Sequence, residues 1–170
     1  MLSKISRRIK ALNEAVGRGV AWLVVLLVVL TFYDVIMRYL FNNGSVALQE
    51  LEWHLFAVIL LLGAGYTLKH REHVRVDLLY ASKRFSDKHR DLVDLCGNLL
   101  FLIPFCVLVI ASSIPFIETA FVVAEHSPDP GGLPYRWILK SMIPLGFLLL
   151  ALQGVSDCLD ILDRLLKGKP

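Results

Sequence analysis

The feature that most constrains this chain is how far apart its charges lie. Between Arg18 and Arg38 the only charge is Asp34. Glu52 and Lys69 enclose 16 uncharged residues, Asp94 and Glu118 enclose 23, and Lys140 and Asp157 enclose 16. At ~1.5 Å rise per residue, helices over the shorter gaps reach about 24 Å and the longest about 34 Å. A hydrocarbon core ~30 Å thick takes roughly 20 residues. The shorter gaps therefore need their flanks. Trp53 and His54 suit the interface before Leu55, and Lys140 can snorkel outward with Trp137 and Tyr135 at headgroup level. The predicted spans are about 17–40, 50–69, 92–120 and 136–158.

A water-soluble four-helix bundle would show one apolar stripe per helix and a polar face behind it. The runs Trp22 to Phe32 and Leu99 to Ile110 are apolar all round. The apolar share of 56% and the charged share of 19% also lie outside the usual soluble range. The expected fold class is an all-α integral membrane protein: four transmembrane helices plus amphipathic cytoplasmic interfacial helices, forming one membrane domain over 1–170.

Basic residues set the expected orientation. Fifteen of the 18 lysines and arginines lie before span 1, between spans 2 and 3, or in the tail. Arg38, Arg136 and Lys140 lie on the other side. The positive-inside rule then places both termini and the middle loop in the cytoplasm of a cell whose inner membrane the chain crosses. The net charge of +3 gives no reason to invoke nucleic acid. The basic start resembles a signal peptide, but its apolar core is as long as a full span and no small-x-small site follows, so it reads as an uncleaved anchor.

Two cytoplasmic segments are amphipathic. Over about 3–16, Ile5, Ile9, Leu12 and Val16 recur at helical spacing while Lys4, Arg7, Arg8 and Lys10 point elsewhere, as in an interfacial helix on anionic headgroups. Over 74–91, Leu78 and Phe85 are seven apart among Lys83, Arg84, Lys88 and Arg90, with Ser86 at an N-cap position. Either segment suits membrane lipid or a partner's helices.

Ionisable residues at membrane depth are functional candidates. Asp34 and Arg38 share a face of helix 1 near its outer end, and Glu50 and Glu52 open helix 2 at the same depth. Glu118 of helix 3 is within reach of Arg136 or Lys140 of helix 4. A relay across the membrane would need a charge at mid-depth, and no span has one, so the cluster reads as charge pairing that locks helices together. Gly63 and Gly65 permit close helix packing. Cys96, Cys106 and Cys158 are odd in number and not spaced as a metal site. No two histidines on different helices match in depth as haem ligands, since His126 lies in a proline-rich loop. No metal, cofactor or catalytic motif is expected.

Three stretches point further. They are Glu50-Leu51-Glu52-Trp53-His54-Leu55-Phe56, Gly63-Ala64-Gly65-Tyr66-Thr67-Leu68, and Glu72-His73-Val74-Arg75-Val76-Asp77. The chain resembles the small membrane subunit of tripartite ATP-independent periplasmic (TRAP) transporters, the DctQ-like family. Arg38-Tyr39-Leu40-Phe41-Asn42 and the outer loop Ser127 to Trp137 are similar to that family as well. The resemblance covers about 30 to 165, and the His73-Arg75-Asp77 element is its most specific part. It implies a non-enzymatic scaffold for a large TRAP membrane subunit that takes up an organic acid or similar solute on an ion gradient, usually sodium. It also implies a periplasmic substrate-binding protein, with Asn42, Asn43, Ser45, Glu125 and Asp129 in the outer loops as candidate docking residues. Two other classes remain: a self-sufficient small transporter, active alone in liposomes, and a redox-enzyme anchor, which would show a haem band.

Overall fold

The computed structural model describes residues 2–70 and 87–167, with side chains from 3 to 70 and from 89 to 166. The described residues form α1 (Leu2–Leu40), α2 (Val46–Lys69), α3 (Asp87–Gly97), a π-helical turn (Asn98–Leu102), α4 (Ile103–Val122) and α5 (Arg136–Lys167). The run of valines and leucines in α1 is helical despite its β-branched content. In hydrocarbon only a helix satisfies a lone segment's backbone groups from within.

α1 has 39 residues and α5 has 32, so they reach about 58 and 48 Å, well beyond a ~30 Å core. The amphipathic segment expected over 3–16 continues span 1 with no break near residue 16. Of the segment 74–91, residues 74–86 lie outside the described ones, and α3 begins at Asp87.

The four long helices do not close into a symmetric bundle. α1 packs on both α2 and α5, and α2 packs on α5. α4 packs extensively on α5 alone. Apolar residues consequently face outward along most of the length. Val28 is 63% exposed, Phe32 67%, Leu60 64% and Leu108 64%, a surface that water would not tolerate and lipid or a partner helix would. Four helices are long and apolar enough to cross a membrane. The start of α1 and the end of α5 lie at one end of the molecule, here the termini end. The α1–α2 and α4–α5 connections lie at the other, the hairpin end.

Two glycines set the spacing at the centre. A Cβ at Gly65 would sit 2.6 Å from Asn13 Oδ1 of α1 and 3.2 Å from the Leu149 carbonyl carbon of α5. One at Gly146 of α5 would sit 2.6 Å from the Leu61 carbonyl oxygen of α2. Gly63, paired with Gly65 in the sequence reading, differs. A Cβ there would meet only Val20, at an ordinary 3.8 Å.

The hairpin-end connections use left-handed backbone at Gly131 and also at three residues other than glycine, Asn42, Ala124 and Tyr135. Asn42 has φ 52°, and the Asn43 N–H donates to the Met37 carbonyl at 3.0 Å. At the end of α4, Ala124 has φ 46°. Its N–H donates to Phe121 O, and the Glu125 N–H donates to Ala120 O at 2.9 Å, a Schellman ending with alanine where glycine is usual.

Candidate functional site

The polar chemistry lies at the two ends. At the termini end a seam joins α1 to α5. The Ser6 and Ser156 hydroxyls meet at 3.0 Å, and Ser156 Oγ also donates to the Ser6 carbonyl. One turn on, Lys10 pairs with Asp160. Asn13 Nδ2 then donates to Gln153 Oε1 at 3.0 Å and, at 3.4 Å, to the Leu149 carbonyl, and Gln153 Nε2 donates to Asp157 at 3.0 Å. Ser6, Asn13, Gln153 and Ser156 are all buried. Ser6, Lys10 and Asn13 are spaced four and three apart, as are Gln153, Ser156 and Asp160, so each set lies on one helical face. The sequence reading set Lys10 among the headgroup-facing cations, where the structure turns it to Asp160, and passed over the others because each is a single polar residue in an amphipathic or apolar run. Their matching spacing is the signal that would have found them.

Glu14 ties α1 to α2. It accepts from Lys69, from His70 at 3.2 Å and from Arg18 at 3.1 Å. Glu14 precedes the apolar stretch. The Lys69 ammonium, then His70 and Arg18, hold its carboxyl down at about 2. Arg164 of α5 donates twice to Asp91 of α3, at 2.6 and 3.3 Å. These elements enclose a polar cavity of about 120 Å³ lined by Lys10, Lys69, Asp94, Asn98, Asp160 and Arg164 among others.

At the hairpin end Glu50 is central. It is 5% exposed and accepts from the Ser127 hydroxyl and from the Leu133 N–H at 2.6 Å. A single carboxylate on α2 thus gathers both sides of the 123–135 loop. The loop closes with Ser127 N–H to Leu133 O at 3.2 Å and Arg136 N–H to Glu125 O at 3.1 Å. Gly132 is needed here, since a Cβ would meet Glu50 Oε2 at 2.8 Å. Lys140 pairs with Glu125 and lies over the Phe116 ring at 3.8 Å, and Arg136 lies over Trp53 at 5.5 Å. Phe121 and Trp137 meet edge-on at 5.4 Å.

The residues singled out from sequence separate into groups. Glu50, Arg136, Lys140 and Glu125 come together with the loop. Asp34 pairs with Arg38 along α1, and its other oxygen, buried, has no hydrogen-bond partner among the described residues. Glu52 likewise has a buried oxygen without a partner among the described residues. Glu118 does not meet Arg136 or Lys140. It is exposed on α4, and Lys140 takes Glu125 instead. Of the candidate docking residues, Asn42, Asn43 and Asp129 are exposed, Ser45 precedes α2, and Glu125 is turned to Lys140. His73, Arg75 and Asp77 lie outside the described residues. His54 contacts the Glu50 carbonyl, and His126 stands beside Tyr135.

Four apolar helices joined by polar contacts at their two ends define a multi-pass membrane protein. The family described as "Tripartite ATP-independent periplasmic transporters, DctQ component" matches residues 27–164, and the chain belongs to that family. It is similar to the C4-dicarboxylate TRAP transporter small permease protein DctQ of Vibrio cholerae serotype O1 (strain ATCC 39315 / El Tor Inaba N16961). The identity is 28% over 165 residues, covering 82% of this chain and 69% of that protein. The chain is a small permease component of a TRAP transporter, a class that also comprises a large membrane subunit and a periplasmic binding protein.

Proposed function

We propose that the chain is the scaffold subunit of the transporter: it broadens and steadies the large membrane subunit, which carries the solute and the coupling ion. The observation that carries this reading is the placement of the ion pairs. Among the described residues they lie at the two ends, where Lys10–Asp160, Lys69–Glu14 and Arg164–Asp91 join helices, and where Glu125 of the loop meets Lys140. Glycines bring α1, α2 and α5 into close contact, with Gly65 against Asn13 and Leu149 and Gly146 against Leu61. Such a body suits attachment, and a solute path would need polar groups along its length.

The transport is uptake of an organic acid or similar solute, driven by an ion gradient, with sodium as the ion. The chain lies in the inner membrane with both termini in the cytoplasm, as the basic residues of the termini end support. Exposed Lys4, Arg7 and Arg8 then face anionic lipid headgroups. The hairpin end faces the periplasm, where Asn42 and Asn43 of the α1–α2 connection and Asp129 of the loop that Glu50 holds in shape are exposed to meet the binding protein.

The test is uptake of a labelled C4-dicarboxylate, the solute named for the Vibrio cholerae relative, into cells expressing the binding protein and large subunit with or without this chain. A panel of other organic acids extends it. The expected result is sodium-dependent uptake that requires this chain. Full uptake of any panel solute without the chain would overturn the proposal.

A further inference from the structure

α4 meets the rest of the molecule along one side. Cys106, Ser113 and Ala120, seven apart, are buried, and α4 packs on α5. The opposite side, formed by Pro104, Leu108, Ala111, Pro115, Glu118 and Val122, is exposed throughout.

The half of this face nearest the hairpin end is poorly suited to lipid. Glu118 carries a charge about one turn inside the end of α4 and has no ion pair or hydrogen bond among the described residues. Of the two cations expected for it, Lys140 is committed to Glu125 and Arg136 lies over the Trp53 ring. Pro115 has no N–H, so the Ala111 carbonyl lacks its usual donor four residues on. Ser112 and Thr119 flank the face, their hydroxyls bonded back to Val109 O at 3.1 Å and Pro115 O at 2.8 Å. By contrast, the exposed side of α1 presents Val25, Val28, Val29 and Phe32, which have no polar side-chain atom. A carboxylate and a carbonyl deprived of its helical donor are both costly against hydrocarbon, and anionic headgroups repel the carboxylate too.

We propose that this face of α4 docks a transmembrane helix of the large membrane subunit, which sets an arginine or lysine against Glu118. The methyl group of Ala111 and the flat ring of Pro115 allow the partner backbone to come close. The occupant is a cationic helix because the exposed formal charge on the face is negative. The inference rests on the scaffold reading above and adds to it the surface and the chemistry of the contact.

The experiment co-expresses an affinity-tagged form of this chain with the large subunit and measures how much large subunit co-purifies. The variants are Glu118→Arg, Ala111→Trp and, on α1, Val28→Trp. Glu118→Arg is expected to lower recovery about tenfold or more, as for a like-charge contact, and Ala111→Trp comparably by steric exclusion. Val28→Trp is expected to stay within about twofold of wild type, a difference under ~0.5 kcal/mol. Circular dichroism and gel filtration of each variant alone check that it folds. A photo-cross-linking residue at Leu108 is expected to capture the large subunit. Wild-type recovery by Glu118→Arg and Ala111→Trp, beside a wild-type chain that holds its partner, would overturn this inference alone. A wild-type chain that recovers no large subunit would overturn the scaffold reading and the inference together.

Discussion

Asn13 offers the sharpest test of the α1–α5 seam. Its Nδ2 donates to Gln153 Oε1 at 3.0 Å and to the Leu149 carbonyl at 3.4 Å, and both side chains are essentially inaccessible, at 1% and 0% exposure. Asn13→Ala removes the donor and leaves Gln153 Oε1 buried without its Asn13 partner. Orphaning a buried acceptor costs about 1–3 kcal/mol, while the 3.4 Å contact contributes little. Interhelical hydrogen bonds in membrane proteins sit lower, at about 0.6–1.7 kcal/mol, so about 1–2 kcal/mol is the expected loss. For a chain of this size that is a fall of roughly 2–8 °C in melting temperature. The assay is thermal unfolding in detergent followed by circular dichroism, run as a cycle with Gln153→Leu and the double variant. The double variant should lose less than the sum of the singles, because no acceptor is then left waiting for a donor. Single variants that melt with wild type, or losses that simply add, would refute the claim that this pair clasps the helices.

Three further outcomes follow from the structure. Glu50→Ala removes the acceptor shared by the Ser127 hydroxyl and the Leu133 N–H, so hydrogen exchange at Leu133 should accelerate by about tenfold or more while the amides of α2 keep their protection. Gly146→Val drives a side chain into the Leu61 carbonyl and should lower the melting temperature by several degrees, about 1–3 kcal/mol, whereas Gly63→Ala should melt within about 2 °C of wild type. The Glu14 carboxyl is held at about 2 against an ordinary 4.5, so its ion pairs contribute stability above pH 4.5 that is lost as pH falls toward 2. Melting measured across that interval should decline less steeply in Glu14→Gln.

Much of this was legible in the chain itself. Runs such as Trp22 to Phe32 have no polar face, and a segment apolar all round has few options besides a membrane-spanning helix. The four spans and the apolar surface follow from that local property. The acidic residues at the start of α2 could also be read as structural, since Glu50 sits beside the turn into the helix. What each of them touches could not. Glu50 and Leu133 are 83 positions apart, and the contact depends on how α5 returns past α2. For the same reason the loop's own Glu125, five residues past the nearest buried position of α4, took the lysine that had been expected for Glu118. Gly63 and Gly65 look alike in sequence, yet only the one facing the α1–α5 junction is crowded.

Sequence by itself determined that the chain spans a membrane four times, because hydrophobicity and its period are properties of each segment taken alone. It also carried the family, because the motif around the end of helix 2 is written in consecutive residues. Tertiary structure decided the rest. The asymmetric packing that leaves α4 held on one side, the Ser6–Lys10–Asn13 seam, and the exposure of Glu118 each depend on which helix faces surround a residue. That is fixed only when separate helices meet, since a polar side chain in an apolar helix has the same local signature whether it turns toward a partner helix, a neighbouring subunit or lipid.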